Sequence, residues 1–392
     1  MKSLYKKSVA KYALGNMFDV IVVGAGPAGL VSAYKLLEEG YDVLILEREI
    51  RPNYNKLCAG YIPLEVFEKY NIPKGVADYA VYGVRFVADR KEWVVDFDAE
   101  TGYNVDRNRF ADFLATRVLK EGGIIENNSF VREVELKNSH AIVRVRDREY
   151  TSRIVILADG VTSRIAASIR GRFKANDLGI TIQTRINPTS NFLKDNNRLN
   201  VILFGRQYSP FGYGWIFPKQ RHLDVGLGTL ISKAKGEKLE DYLTNILDHF
   251  NLEKSEPRYF PVPLSGPLNK VAYNRMLLAG DSAGHVSPLT GEGIKYSMYA
   301  GELAAETIIE YLKNRISIKD IRKYYLKRLK KSFYKKLRAE KIILSILASK
   351  RLSTSRMLED EKARRIIAKI YTDMSNEHIF FSLVKSYILT HI

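Results

Sequence analysis

The stretch Phe18-Asp19-Val20-Ile21-Val22-Val23-Gly24-Ala25-Gly26-Pro27-Ala28-Gly29-Leu30 decides the fold. Val20 to Val23 form a β-branched run suited to a buried parallel strand, and Gly24, Gly26 and Gly29 follow in Gly-x-Gly-x-x-Gly spacing. A helical pattern runs from Ala28 to about Glu39, Gly40 ends it, and Asp42 to Leu46 makes a second strand closed by Glu47. The unit is βαβ. Gly24 permits the tight turn, Gly26 lets a pyrophosphate approach the backbone, and Gly29 lets helix and strand pack closely. The helix start offers unpaired N–H groups to phosphate, and Glu47 can accept from a ribose hydroxyl. A dinucleotide is expected here, and the motif alone leaves open which one.

A chain of 392 residues, 46% hydrophobic and 27% charged, is long enough for two or three folded domains. Its single cysteine, Cys58, excludes disulfides, cysteine-ligated zinc and iron–sulfur clusters, so any redox cofactor is organic and no metal site is expected. The same scarcity suits a reducing, cytoplasmic compartment. Residues 1–16 are basic and polar, without the apolar core of a signal peptide, and read as a dispensable extension before Met17. No apolar run reaches about 18 residues, so no transmembrane helix is expected.

Much of the net charge of +18 lies between Lys313 and Lys341, where 13 Lys/Arg face only Asp320 and Glu340. Leu326, Leu329, Phe333 and Leu337 recur there at helical spacing. The ordinary reading is an amphipathic helix packed on its own domain. The alternative is peripheral contact with an anionic membrane, where each basic residue adds about 1 kcal/mol. No nucleic-acid module accompanies the charge.

Further along, Val81 to Val87 and Trp93 to Phe97 alternate like exposed-edge strands and begin a second sheet. Asp106 can cap a helix carrying Phe110, Leu114 and Val118 on its apolar side. Short strands from Gly123 end in an apolar run before Asp159-Gly160, and Val161 to Arg164 opens a helix. From about Arg172 to Pro263 lies an antiparallel substrate sheet, interrupted by a helix near Leu239 to Phe250. Arg275 to Ala279 then leads into Gly280-Asp281, and Pro288 to Gly293 opens a helix with Ile294, Met298, Ala305 and Ile308 near one face.

The Asp106-Arg107 helix start and the Asp159-Gly160 and Gly280-Asp281 turns, added to the glycine motif, resemble the FAD-dependent family that includes p-hydroxybenzoate hydroxylase, over residues 18 to 312. The resemblance implies an α/β chain with a Rossmann-type FAD-binding domain, a mixed or antiparallel β-sheet substrate domain and a C-terminal basic helical region. The expected boundaries are 17–80, 103–171 and 270–312 for FAD, 81–102 and 172–269 for substrate, and 313–392 for the helices. It also implies FAD contacts from Gly24, Gly26, Ala28, Gly29, Glu47 and Arg48, and from Cys58 and Ala59 near the flavin ring. Arg107 is implied near the phosphate and ribose, Asp159 with Gly160 beside the pyrophosphate, and Asp281 with Gly280 on the ribityl hydroxyls. The Gly291, Gly293 and Ile294 backbone is implied under the flavin pyrimidine, where a helix N-terminus stabilises the negative charge of reduced flavin. Either aspartate alone suits an ordinary turn; two at the ends of apolar strands do not.

Two segments narrow the resemblance. Tyr213-Gly214-Trp215-Ile216-Phe217-Pro218 resembles the Tyr-x-Trp-x-Phe-Pro signature of geranylgeranyl reductases, and Lys56 to Leu64 is similar to a cysteine-bearing segment of the chlorophyll-pathway members, with departures at Ala59 and Tyr61. A strand would turn Tyr213, Trp215 and Phe217 to one face; taken alone they suit a packed core, but the neighbouring glycines favour a ligand surface. The resemblance implies saturation of isolated double bonds in a geranylgeranyl chain, an archaeal-type ether-lipid precursor being the first choice. Tyr213, Trp215 and Phe217 would then line the prenyl channel, with Tyr213 and Trp215 stabilising carbocation character. Cys58 would serve proton delivery or flavin gating, although a free cysteine is often just a small buried hydrophobe. His285 is expected to serve packing.

Competing readings are an FAD-dependent aromatic hydroxylase of the same fold and a non-catalytic isoprenoid- or quinone-binding flavoprotein. A flavin-dependent halogenase would carry Trp-x-Trp-x-Ile-Pro, which Tyr213 and Phe217 do not match. NAD(P)H and ferredoxin both stand as external reductant, and several head groups and oligomeric states are compatible with the sequence.

Overall fold

The computed structural model describes residues 17–54, 56, 58–349 and 354–374. The extension read over residues 1–16, Leu57 of the cysteine loop, and residues 350–353 and 375–392 of the basic helical region lie outside the described residues.

The apolar run at the start forms the strand Phe18–Val23, paired in parallel with Val43–Leu46 on one side and Arg148–Leu157 on the other. Ile124–Glu126 and Met276–Leu278 extend the parallel order outward. Val20 to Val23 are buried, as a strand covered on both faces requires. Gly24 follows with φ +99, and a Cβ there would lie 2.5 Å from the Ala158 carbonyl oxygen. Gly29 is the packing glycine: a Cβ would lie 2.0 Å from the Gly24 oxygen. The helix it opens, Pro27–Glu38, crosses Ile294–Leu312 so closely that a Cβ on Gly301 would lie 2.2 Å from the Ala28 carbonyl oxygen. Asp106 caps Arg107–Lys120 by accepting from the Asn108 and Arg109 N–H groups, and Phe110, Leu114 and Val118 are buried beneath.

The second sheet runs Arg258–Pro263, Leu178–Ile186, Leu223–Leu230, Gly212–Pro218, Leu199–Phe204, Gly83–Ala88 and Lys91–Asp96. Its pairs are antiparallel except Leu199–Phe204 with Gly83–Ala88, so the sheet is mixed. Only Lys91–Asp96 of the two early strands is an edge, contrary to the sequence reading. Gly83–Ala88 lies between two partners, because its alternation reflects two separately covered faces rather than one wet face. Val87 joins the core beneath Leu239–His249, whereas Val84, Phe86 and Ala88 meet Leu358, Ile367 and Ala368 of the helices Thr354–Glu359 and Glu361–Tyr371.

The basic segment folds as Ile321–Leu329, a π-helical turn at Lys330–Tyr334, and Lys335–Ser349. Leu329, Phe333 and Leu337 are buried in the main core and Leu326 packs beside them, so the apolar stripe faces the protein itself. Arg322, Lys323, Lys327, Lys330, Lys331, Lys335 and Arg338 face outward. Glu340, one of the two acids in that run, is buried. No helix among the described residues is long and apolar enough to cross a membrane.

Candidate functional site

Where the carboxyl ends of the parallel strands meet the second sheet lies a cavity of about 1260 Å³. It brings together every site residue read from the sequence except Gly29, whose part is the helix–strand packing described above.

At the end built by the glycine turn, Gly26 stands just before the helix start with an extended backbone, and a Cβ added there would meet nothing within 4 Å. The same holds at Gly160. Both glycines leave room over a helix N-terminus or strand end. Glu47 is 7% exposed; its Oε2 accepts from the Ala25 N–H (2.7 Å) and its Oε1 from the Glu49 N–H (3.0 Å). Burial raises its carboxyl above the usual range, with those backbone bonds pulling the other way. Arg48 stands at the rim, paired with Glu49. Burial pushes Asp159 up to about 6, and its Oδ1 has no hydrogen-bond partner among the described residues. Asp281 lies 3.7 Å from Lys56 Nζ.

The middle of the cavity joins two residues that the sequence reading kept apart. Arg107, 3% exposed, places Nη1 3.6 Å from Cys58 Sγ, so the arginine expected by the phosphate and ribose stands against the thiol expected by the ring. Asn53, in the amide orientation that satisfies both groups, accepts from Arg107 Nη2 (2.9 Å) and Nε (3.2 Å). Lys219 fixes the same loop from the other sheet: its buried ammonium donates to the Ala59 carbonyl and lies 3.7 Å from Asp224 Oδ2, while burial lowers its proton affinity.

Tyr213, Trp215 and Phe217 share one sheet face, as their alternation predicts, within the cluster that includes Ile202 and Phe204. Tyr213 and Trp215 have ring centroids 5.9 Å apart. The indole lies over Gly226, where a Cβ would sit 2.6 Å from Trp215 Cζ2; the neighbouring strand's glycine makes space for it. The Tyr213 hydroxyl donates to the Thr290 carbonyl, tying the aromatic face to the turn that opens Ile294–Leu312. That turn supplies Gly291, Gly293 and Ile294 to the cavity.

Several lining groups were not anticipated. Tyr371 packs edge-on to Tyr213 at 5.1 Å, from a helix far along the chain, and no local pattern marks it. Lys219, which lies behind the lining and holds it through the Ala59 carbonyl, directly follows the aromatic signature, so its position was a usable signal. Glu292 sits between the two glycines of the turn, and Glu340 was read only as one of two acids in the basic segment. His285 lies outside the cavity lining: its Nδ1 accepts from the Gly280 N–H (3.2 Å) and its Nε2 meets the Tyr334 hydroxyl (3.1 Å). Burial pushes it down to about 3, as suits a neutral packing residue.

The open space at Gly26, the carboxylates of Glu47 and Asp281, the unpartnered Asp159 oxygen and the turn at Gly291 to Gly293 fit FAD. The family model described as lycopene cyclase protein matches residues 19–379. The digeranylgeranylglycerophospholipid reductase of Methanocaldococcus jannaschii is 33% identical over 333 residues, covering 83% of this chain and 85% of that protein. The crystal structure of a geranylgeranyl bacteriochlorophyll reductase-like protein from Thermoplasma acidophilum has a TM-score of 0.80 at 22% identity, covering 94% of this chain and 96% of the other. A myxobacterial chondrochloren halogenase, a variant of the FAD-dependent halogenases, has a TM-score of 0.64 at 19% identity, covering 80% and 79%. The two structural likenesses concern the fold.

Proposed function

The chain belongs to the geranylgeranyl reductase family of FAD-dependent oxidoreductases, built on the p-hydroxybenzoate hydroxylase-like fold, and on that premise we propose that it saturates isolated C=C bonds of a geranylgeranyl chain. The substrate we assign is a prenyl lipid of the archaeal ether-lipid precursor type. One observation carries this reading: the dinucleotide-type turns and the Tyr213, Trp215, Phe217 face line a single cavity. Its volume exceeds the roughly 300–1,000 Å³ usual for one ligand, as a site for cofactor and chain together requires.

FAD binding is assigned to 17–80, 103–171 and 270–312, and substrate binding to 81–102 and 172–269, with 313–392 as a C-terminal basic region whose described part is helical. Gly24, Gly26, Ala28, Asp159 and Gly160 shape the phosphate end, Glu47 and Arg48 the adenosine end, and Asp281 with Gly280 accepts from the ribityl hydroxyls. Reduced FAD, when bound, supplies the hydride. An isolated alkene has no carbonyl to take up electron density, so positioning and exclusion of water carry most of the protein's contribution. The Tyr213 and Trp215 rings stabilise positive charge that develops on the alkene, through their π faces. Cys58, set against Arg107 on the loop that Lys219 pins, gates or orients the reacting groups, with proton delivery as its other assignment.

Anaerobic incubation of the reduced protein with a small panel of prenyl lipids, followed by mass spectrometry, tests the reading. A gain of two hydrogens per double bond is expected. Oxygen incorporation in air would point to the hydroxylase chemistry of the same fold, and no product at all to a carrier. Running the assay with NAD(P)H and with ferredoxin identifies the electron donor.

A further inference from the structure

Around the Gly291 to Gly293 turn, in and behind the cavity wall, lie six charged-type side chains whose charges do not divide evenly. Lys295 Nζ bridges Glu65 and Asp373, and Lys336 Nζ also binds Asp373. Two ammonium groups thereby meet two carboxylates. Glu292 and Glu340 remain, and among the described residues neither has a lysine or arginine at ion-pair distance. Both line the cavity.

Glu340 is 1% exposed, and its Oε2 has no hydrogen-bond partner among the described residues. Glu292 accepts the Lys295 N–H through Oε1 (2.7 Å), while its Oε2 is buried and likewise without a partner. A carboxylate left so would forfeit several kcal/mol of hydration without recovering it from a partner. The uncharged acid, which presents an O–H, is the form these surroundings favour. Burial and the nearby Asp373 push Glu292 up to about 8, against the pull of Lys295 and Lys336. Burial and the nearby Asp373 push Glu340 up to about 7, against Lys336, Lys295 and a hydrogen bond from Ser287, whose own N–H donates to the Glu292 carbonyl oxygen (2.8 Å). The Tyr61 and Tyr296 hydroxyls, which also face this cluster, are held in their neutral form by burial.

Saturation of an isolated double bond consumes one hydride and one proton for each bond reduced. We propose that the Glu292 carboxylic acid donates that proton to the alkene and that Glu340 returns a proton to Glu292. The C=C π bond and the Glu292 O–H bond break, and two C–H bonds form, one with the hydride from the reduced cofactor and one with the Glu292 proton. The carboxylate left on Glu292 takes the Glu340 proton, and a proton from bulk solvent, relayed by water, reloads Glu340, so each bond reduced consumes one solvent proton. The inference rests on the prenyl-reductase reading and assigns the proton to a carboxylic acid instead of Cys58. It also gives a use to an acid set between two glycines that the cofactor itself does not require.

Glu292→Gln keeps the acceptor for the Lys295 N–H and removes the acid. In FAD-loaded protein, reduced in advance and mixed anaerobically with saturating prenyl lipid, its single-turnover rate is expected to fall at least about 100-fold, the low end for loss of a general acid. Glu292→Asp, which retains an acid, is expected to recover part of that loss. Infrared spectra of the FAD-loaded protein without substrate give a readout independent of turnover. A carboxylic-acid C=O band at neutral pH, shifted in D2O and missing from Glu292→Gln, is expected. An active Glu292→Gln beside an active wild type, or a spectrum in which no acid band disappears, overturns this inference alone. A wild type that reduces no prenyl lipid overturns the prenyl reading and this inference with it. Glu340→Gln is expected to slow steady-state turnover more than the first turnover; equal effects would remove the relay.

Discussion

Gly26→Ala separates cofactor binding from folding. The residue has φ −77 and ψ 179, an extended conformation open to alanine, and the added Cβ would meet no protein atom within 4 Å. Cofactor-free protein should therefore change in stability by less than about 0.5 kcal/mol, as surface-type substitutions do. The methyl would occupy the space through which the pyrophosphate approaches the helix N-terminus. An overpacking cost of about 1–3 kcal/mol, felt only with FAD bound, weakens binding by roughly 5- to 150-fold. Gly29→Ala is the control, three residues away in the same motif. Its Cβ would lie 2.0 Å from the Gly24 oxygen, so backbone must move and the fold itself should suffer. Urea unfolding of the apoproteins and fluorescence titration with FAD read the two effects separately. Wild-type FAD affinity in Gly26→Ala, or a loss of apoprotein stability equal to that of Gly29→Ala, would refute the placement of the phosphate.

Trp215→Ala should lower the reduction rate on a saturating prenyl substrate by about tenfold or more, a loss of at least about 1.4 kcal/mol; an unchanged rate would end the π-face role. Cys58→Ser should slow turnover measured the same way, and intact turnover would remove the thiol from gating and proton delivery alike. Glu292 and Glu340 have folded values of about 8 and 7 against an ordinary 4.5, so the folded state holds protons that the unfolded chain releases. Their contribution to stability is full below pH 4.5 and is lost as pH rises through about 7 to 8. The double variant with glutamine at both positions should show a flatter pH dependence in urea unfolding than wild type across that window; parallel curves would contradict the assignment. The outward basic side of residues 313–341 should carry the protein with anionic vesicles in flotation, and salt should weaken this binding. Equal flotation with neutral vesicles would remove the membrane role.

The cofactor side of the molecule was legible because its signals are local. Gly24, Gly26 and Gly29 sit in one turn, and Asp159 and Asp281 each end an apolar run, so short stretches reveal the parallel sheet and its loop ends. The aromatic face was also legible, since Tyr213, Trp215 and Phe217 alternate within one strand. What escaped was long-range. Nothing near Tyr371 announces that it will meet Tyr213, and Glu340 reads as one more charge in a basic helix until the turn at Glu292 is packed against it. The central position of Gly83–Ala88 was hidden for the same reason, because period-two alternation cannot tell a wet face from one covered by a distant helix.

The helix Glu361–Tyr371 closes a wall whose other parts come from much earlier in the chain. As the polypeptide leaves the ribosome, the groups assigned to FAD are all present once Ile294 has emerged, but Tyr371 and Asp373 arrive 77 and 79 residues later. Until then the Tyr213 and Trp215 face is an open apolar surface, and Lys295 and Lys336 lack the carboxylate they share. The nascent chain passes through an interval in which this groove is unfinished and apolar. Holdase chaperones and stray lipids would compete for that groove during translation, and a shortened gene product ending before residue 354 would stay in that condition permanently.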